Sequence, residues 1–561
     1  MFKHRAIPIG LIGLLAVLVL MGGVTDFRAL DRGHLGLVYP LDTHACGTAL
    51  TGATLSCHIA AIEATRQTLM LPPGTWTINA NLTVPSGVGL WVAEGAMFNI
   101  SPGVTLTING SLTAPMAPII SGAGNVVFGG KVSEISPYWF GAACDDTTDD
   151  APALTRTFAA ASASGRRVVR LPPATCRITR EVTVPNGVGL EGDNWYSSVI
   201  RVVGAIRGLV YDSADTENPH VTFRQFTVRG DVATSLDLFT IRGGAWNVVL
   251  DRVRLRGTSQ RALVLDEVPG LTVQNCEIGE FALSGIWTKG WTNGVTVEGC
   301  RFEDFGTANT EGTIRLDSAV ATGNWQIRRN VFESNTKRTN TALVLNGVHT
   351  VTFEHNYVER YNGVLVKAGS TAANTNIVIR QNFLHSFNPF KISFPAGALA
   401  HDNIVIEDNS FGGVSALSNV FDPGSTRRYR FLGNSGDATP KTWVAGYPNT
   451  TTNVLKVPDL VVTGGLQVGD WNRGLLLKPG DNLEIANAVD LSKITLHVGG
   501  TDAAVLEETL ASVPQNIKVP GQLWTGNTSA ATRPGRVAAK LPIYDAAGRL
   551  IGYIPIYNRI D

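Results

Sequence analysis

The chain is short of charge and has no excess of either sign. Its 46 basic and 46 acidic residues cancel, and charged residues make up only 16% of 561, against about 25% in ordinary domains. A nucleic-acid partner calls for a basic surplus, so that class is excluded. There is no GxxxxGK[ST] phosphate loop and no CxxC pair, which leaves nucleotide and thiol-redox chemistry without a motif, and no cofactor is identified. No tight aspartate cluster suggests a calcium cage, so no metal ligand is assigned, although calcium stays open. Long apolar runs are also scarce. The main one covers residues 6–24 behind Lys3 and Arg5. It lacks both a clear small-x-small cleavage site and a lipobox cysteine, so residues 1–30 read as a signal peptide or a retained membrane anchor.

What is present is a repeat. Between Val221 and Asn434 one phrase recurs nine times: TFRQFTV, VLDRVRL, TVQNCEI, TVEGCRF, QIRRNVF, TFEHNYV, VIRQNFL, VIEDNSF, RFLGNSG. Its fifth letter is Phe226, Val253, Cys276, Cys300, Asn330, Asn356, Asn382, Asn409 and Asn434, at steps of 23 to 30 residues. A period in the twenties predicts stacked solenoid coils, each burying its apolar face against its neighbours. Apolar letters alternate on both sides of the column, as in strands. The column itself then sits at a sharp bend. Stacked asparagines there can bond one another and the turn backbone. The expected fold is all-β: a right-handed single-stranded parallel β-helix with an internal asparagine ladder.

A second internal match flanks the first. LPPGTWTINANLTVPSGVGL at Leu71 and LPPATCRITREVTVPNGVGL at Leu171 agree at 12 of 20 positions. A helix is predicted before each, over residues 55–67 and 150–163. Asp149 and Asp150 with Pro152 suit a helix start, because carboxylates satisfy free N–H groups and oppose the dipole. The six cysteines fall into near pairs 46/57, 144/176 and 276/300. Behind an export signal these suggest disulfides, with buried free thiols as the alternative for Cys276 and Cys300. A Cys144–Cys176 bond would stabilise by about 3–4 kcal/mol in the loop-closure picture. The expected organisation is a small β-helical domain over 46–137, the main solenoid over 138–435, a linker over 436–457 and a β-rich domain over 458–561.

The run YWFGAACDDTTDDAPAL, followed by a helix and VVRLPPATCRIT, resembles the opening of the pectate-lyase-like superfamily of β-helix proteins. The usual pattern is GDG…DDT…AI…A with a LPPGTY-like strand; here CDD stands where GDG would be. The resemblance covers roughly residues 138–434. It implies the fold, and an activity drawn from lyases, hydrolases, epimerases or phage tailspikes. The signatures that would choose among these are missing. There is no NTD, GHG or RIK set, FKIS at Phe390 lacks the arginine, and FDP at Phe421 stops short of DPHE.

The resemblance places a substrate groove on the sheet away from the asparagine bend. Aligning LFTIR, ALVLD, GIWTK, TIRLD, ALVLN, GVLVK and PFKIS points Arg242, Asp266, Lys289, Asp317 and Lys367 outward, with Trp287, Arg315 and Lys391 beside them. Alternating signs there also serve as a stabilising ladder. Lys367 and Lys391 break the alternation. With Arg360, Tyr361 and His385 they form the candidate catalytic set for β-elimination from a uronic acid, where cations neutralise the carboxylate and a base takes the adjacent proton. Trp287, Trp291, Lys289, Arg315 and Asp317 are the candidate substrate-binding set, the tryptophans stacking on sugar rings. The sequence therefore predicts a secreted, periplasmic or cell-surface polysaccharide lyase, with a glycoside hydrolase as runner-up enzyme. A non-catalytic glycan-binding or tailspike-like structural protein is the alternative. The C-terminal domain is a candidate for homo-oligomerisation.

Overall fold

The computed structural model describes residues 38–39, 46–165, 168–213, 220–304, 311–334, 341–369, 372–386, 391–395, 400–413, 420–422, 424, 426–436, 439–446, 493–498, 501–507, 529–530, 539–544 and 550–556. The chain falls into two units, Met1–Lys456 and Val457–Asp561. The expected signal or anchor over 1–30 lies outside the described residues. Among the described residues no helix is long and apolar enough to cross a membrane.

The first unit is a right-handed parallel β-helix. In its main part each coil contributes a strand to three parallel arrays, here called the first, second and third sheets in chain order. Val248–Asp251, Arg254–Thr258 and Arg261–Asp266 make one such coil. Each strand pairs in register with the corresponding strand of the next coil, as in Val248↔Leu271 and Leu250↔Val273. Apolar letters point inward and form one continuous core of stacked Val, Leu, Ile and Phe. Phe302 lies flat on Phe332, ring centroids 4.6 Å apart.

The corner between the first and second sheets is where the repeat phrase does its work. The residue before the column takes a left-handed backbone in each of the nine repeats, for example Arg329 (φ 56°), His355 (φ 54°), Gln381 (φ 54°) and Asp408 (φ 54°). That turns the chain sharply and sends the next side chain inward. Asn330 Nδ2 donates to Asn356 Oδ1 (3.1 Å), Asn356 to Asn382 (3.1 Å), Asn382 to Asn409 (2.9 Å) and Asn409 to Asn434 (3.0 Å). Each Oδ1 also accepts the preceding column residue's backbone N–H, and each Nδ2 reaches a carbonyl such as Ile327 O at 2.9 Å. Every buried amide is thus satisfied, which makes a polar row affordable inside an apolar core. Cys276 and Cys300 continue the row as buried free thiols.

Two helices precede the two solenoid pieces: α1 (Gly52–Ile62), capped by the Thr51 side chain, and α2 (Ala151–Ala163). The helix start at α2 differs from expectation. Asp149, not Asp150, accepts from the first-turn N–H of Ala151 (3.3 Å). Asp150 instead accepts from the backbone of Ala143 (2.7 Å), Cys144 (3.2 Å) and Arg177 (3.0 Å), bracing the chain beside the disulfide. Cys144–Cys176 and Cys46–Cys57 are both bonded, with Cα atoms 3.8 and 5.6 Å apart. Two disulfides fit an oxidising compartment.

The expected linker is in part structured. Thr439–Gly446 runs antiparallel to Tyr429–Gly436 and pairs with the last parallel strand. The second unit contains a hairpin, Lys493–Val498 with Thr501–Glu507, and an antiparallel group of Ser529–Ala530, Ala539–Tyr544 and Leu550–Ile556.

Candidate functional site

One outward column on the first sheet alternates in sign. From Glu298 the column reads Arg328, Glu354, Arg380, Glu407, each in register with the next. Arg328 meets Glu298 at 2.9 Å and Arg380 meets Glu354 at 2.8 Å. Strands about 4.8 Å apart place such partners side by side, so this column needs no explanation beyond stability.

The third sheet carries a denser arrangement. Its outward columns are in register through Thr240, Val264, Trp287, Arg315, Val344 and Lys367, and through Asp212, Arg242, Asp266. The Arg261 guanidinium lies over the Trp287 ring, 3.9 Å from its centre. Glu311 accepts two bonds from that guanidinium, at 3.0 and 2.8 Å. Trp287 Nε1 donates to Asp317 (2.8 Å), which also receives Arg315 Nε (2.6 Å) and Asn346 Nδ2 (3.2 Å). One carboxylate therefore fixes an aromatic ring and a second arginine on a solvent-facing sheet. Nearby, Asp237 lies 3.9 Å from Arg261. Burial pushes the Asp237 carboxyl up, against Arg261 and Arg207, which draw it down.

Of the substrate-binding set, Trp287, Arg315 and Asp317 come together here. Lys289 lies one column over, paired with Asp266 at 3.2 Å. Trp291 is half-buried at the bend that follows, its carbonyl accepting from Val268 N.

The catalytic set does not converge. Register pairs Val344 with Lys367 and Leu345 with Ala368, two residues later than the sequence alignment supposed. This moves Lys367 into the column of Trp287 and Arg315, where it is exposed. It moves Lys391 off the outer face altogether. Lys391 is buried, and its ammonium donates to the Ser386 carbonyl. Tyr361 is buried too, its hydroxyl 2.8 Å from Thr313 Oγ1. Arg360 is exposed at a left-handed corner (φ 63°), 3.7 Å from Glu359. His385 faces out from the second sheet with its ring stacked on Phe383. Lys367 and Lys391 are thus not paired ammonium groups on one face.

Residues that the sequence did not single out complete the outer surface. Arg261 and Glu311 carry the tryptophan stack. On the second sheet Arg177, Arg201, Arg229 and Arg256 stand in register on four successive coils. Beyond Gly279 that column continues as Glu303, Glu333 and Glu359. The signal was in VIRV, TVRG and RLRG, but it shows only when the coils are aligned. An interior row was also missed. Asn374 N donates to His401 Nδ1 (3.1 Å) and Val348 N to Asn374 Oδ1 (3.0 Å), a second buried ladder one corner away from the first.

Comparison with known proteins agrees with the fold. A family described as "Right handed beta helix region" matches residues 238–384. The resemblance to the β-helix superfamily therefore holds at the level of the fold. No curated protein matches the chain. Among solved structures, the ORF18 protein of Geobacillus virus E2 is 16% identical, with a TM-score of 0.45 over 56% of this chain and 64% of its own. This chain thus spans less than two thirds of that protein. A DFA-IIIase from Arthrobacter chlorophenolicus is 13% identical, TM-score 0.43, over 56% of this chain and 90% of its own. The A-module of a mannuronan C-5 epimerase from Azotobacter vinelandii is 18% identical, TM-score 0.38, over 54% and 93%.

Proposed function

We propose that the protein is exported and acts on an acidic polysaccharide laid along the outer face of the third sheet. The observation that carries this reading is the Arg261–Trp287 stack, locked through Asp317 to Arg315 on a solvent-facing sheet. A ring held by its edge keeps its remaining surface for a sugar face, and a pre-ordered side chain loses little entropy on binding. Lys367 shares a column with Arg315, across Val344, and has no ionic partner among the described residues. Its ammonium is the free charge for a uronate carboxylate. Neutralising that carboxylate is the first requirement of β-elimination, so a lyase is the reaction assigned.

The burial of Lys391 and Tyr361 favours a second reading, in which the same face binds glycan without cleaving it. Incubation with a panel of uronic-acid polymers separates the two, because elimination leaves an unsaturated product that absorbs in the ultraviolet. Under the first reading Lys367→Ala abolishes turnover and leaves the melting temperature within a degree or so, the lysine being exposed. Trp287→Ala weakens glycan binding about tenfold, or about 1.4 kcal/mol, under both. Full glycan affinity in Trp287→Ala would remove this face from consideration.

A further inference from the structure

The second sheet holds a cleft that the third-sheet reading does not use. It has a volume of about 330 Å³ and is walled by Asp146, Tyr196, Arg201, Arg229 and Arg254. Strand pairing puts Arg201 and Arg229 on adjacent coils, about 4.8 Å apart along the solenoid. Like charges placed so closely repel, and folding alone gives no reason for the arrangement.

The partners of these arginines show where the charge is left over. Arg201 meets Asp146 at 2.7 Å, and Arg254 meets Glu277 at 2.8 Å. The Arg229 side chain is exposed, and its guanidinium has no hydrogen-bond or ionic partner among the described residues. One planar five-donor fork thus faces the cleft uncommitted, between two other guanidiniums. Such a fork matches a carboxylate or sulfate two bonds at a time.

The cleft also has an aromatic wall. Tyr196 is 64% exposed, unusual for so large a ring, and it does not hang loosely. Its backbone N–H donates to Asn194 Oδ1 at 2.8 Å, its ring meets Trp195 edge-on at 5.6 Å, and Arg254 covers one face at 5.2 Å. Asp193 N bonds Ser198 Oγ at 2.9 Å, closing the loop that presents it. An ordered ring beside a free guanidinium is the recognition chemistry of a sugar that carries an acid: the ring takes the apolar sugar face, the fork takes the anion.

We infer that this cleft is a separate binding site for an anionic sugar unit, with Arg229 and Arg201 holding its carboxylate or sulfate and Tyr196 its ring. The site lies on a different sheet from Trp287, so it stands or falls independently of the proposed groove.

Calorimetric titration of the full chain with a galacturonate oligomer, its uncharged methyl ester, a sulfated galactose oligomer and inorganic sulfate tests this. The acidic oligomers should bind; the methyl ester and free sulfate should bind at least about tenfold more weakly. Which acidic oligomer binds tighter distinguishes carboxylate from sulfate. Arg229→Ala and Tyr196→Ala, both at exposed positions, should each lower affinity for that oligomer about tenfold. To keep this site apart from the third sheet, the titrations are repeated in a Trp287→Ala background, where the loss on removing Arg229 should persist. Equal binding of the methyl ester, binding of sulfate alone as tight as that of a sugar, or unchanged affinity in Arg229→Ala would overturn the inference. So would no binding of any acidic oligomer at millimolar concentration.

Discussion

Along the outer face of the first sheet the column from Arg170 runs Glu191, Arg224, Asp251, then, past Gln274, Glu298, Arg328, Glu354, Arg380, Glu407. One bend further along the chain, the second sheet runs four arginines and then, past a glycine, three glutamates. Both columns lie on the same scaffold at the same spacing, so sheet geometry cannot account for the difference. The first is arranged as stability would have it. In the second, like charges are neighbours, and the acidic part is neutralised from an adjacent column: Arg301 meets Glu303 at 2.7 Å and Glu333 at 2.6 Å. The basic part is only partly neutralised. Where a regular scaffold departs from its own stabilising rule, the departure marks surface that serves something other than folding.

The interior row sets the upper end of what breaking a column should do. Asn356→Ala removes the acceptor of Asn330 N and Nδ2 and the donor to the Ile327 carbonyl. Orphaning buried polar groups costs about 1–3 kcal/mol each, so a loss of about 3–5 kcal/mol is expected in urea unfolding. Next comes the alternating column. Glu354→Arg sets three arginines in a row between Arg328 and Arg380. With both neighbours partly exposed, about 1–2 kcal/mol should be lost at low salt, and less as ionic strength rises.

The second interior ladder sharpens the comparison by titrating where the asparagine row does not. His401 is buried with Nδ1 accepting from Asn374, and burial draws its pKa below the ordinary 6.5. The unfolded chain therefore takes the proton more readily. Stability from this group is complete above about pH 6.5 and declines as pH falls from there toward the folded value. Unfolding midpoints measured from pH 7.5 to pH 5 should fall in wild type, and the portion due to His401 should vanish in His401→Asn.

How much of this was legible in the chain depends on whether a column repeats one residue type. The asparagine row announced itself because identical amides recur at one phase, and both disulfides followed from paired cysteines in a short chain segment. The third-sheet register at Lys367 was not legible. GVLVKAG alternates equally well in two frames two residues apart, and a period of two cannot tell them apart. That slip is what set Lys391 outside when it lies within. That Trp287, Arg315 and Asp317 come together was legible because their strands align unambiguously. Their supports, Arg261 and Glu311, were not, since each lies just before the alternating run of its coil, ALVLD or TIRLD. The arginine run escaped because Arg229 and Arg256 fall one letter past their repeat phrases, and Arg177 and Arg201 lie before the first phrase.

The smallest effect decides the central claim, that the arginine run is kept for binding against the interest of stability. Arg229→Glu would restore alternation between Arg201 and Arg256, turning two like-charge neighbours into opposite pairs. Unfolding free energy at low salt is the measurement. It should rise by a few tenths of a kcal/mol to about 1 kcal/mol, an exposed site limiting the gain, while affinity for the acidic oligomer disappears. A mutant less stable than wild type would contradict the account, because the arginines would then be serving the fold.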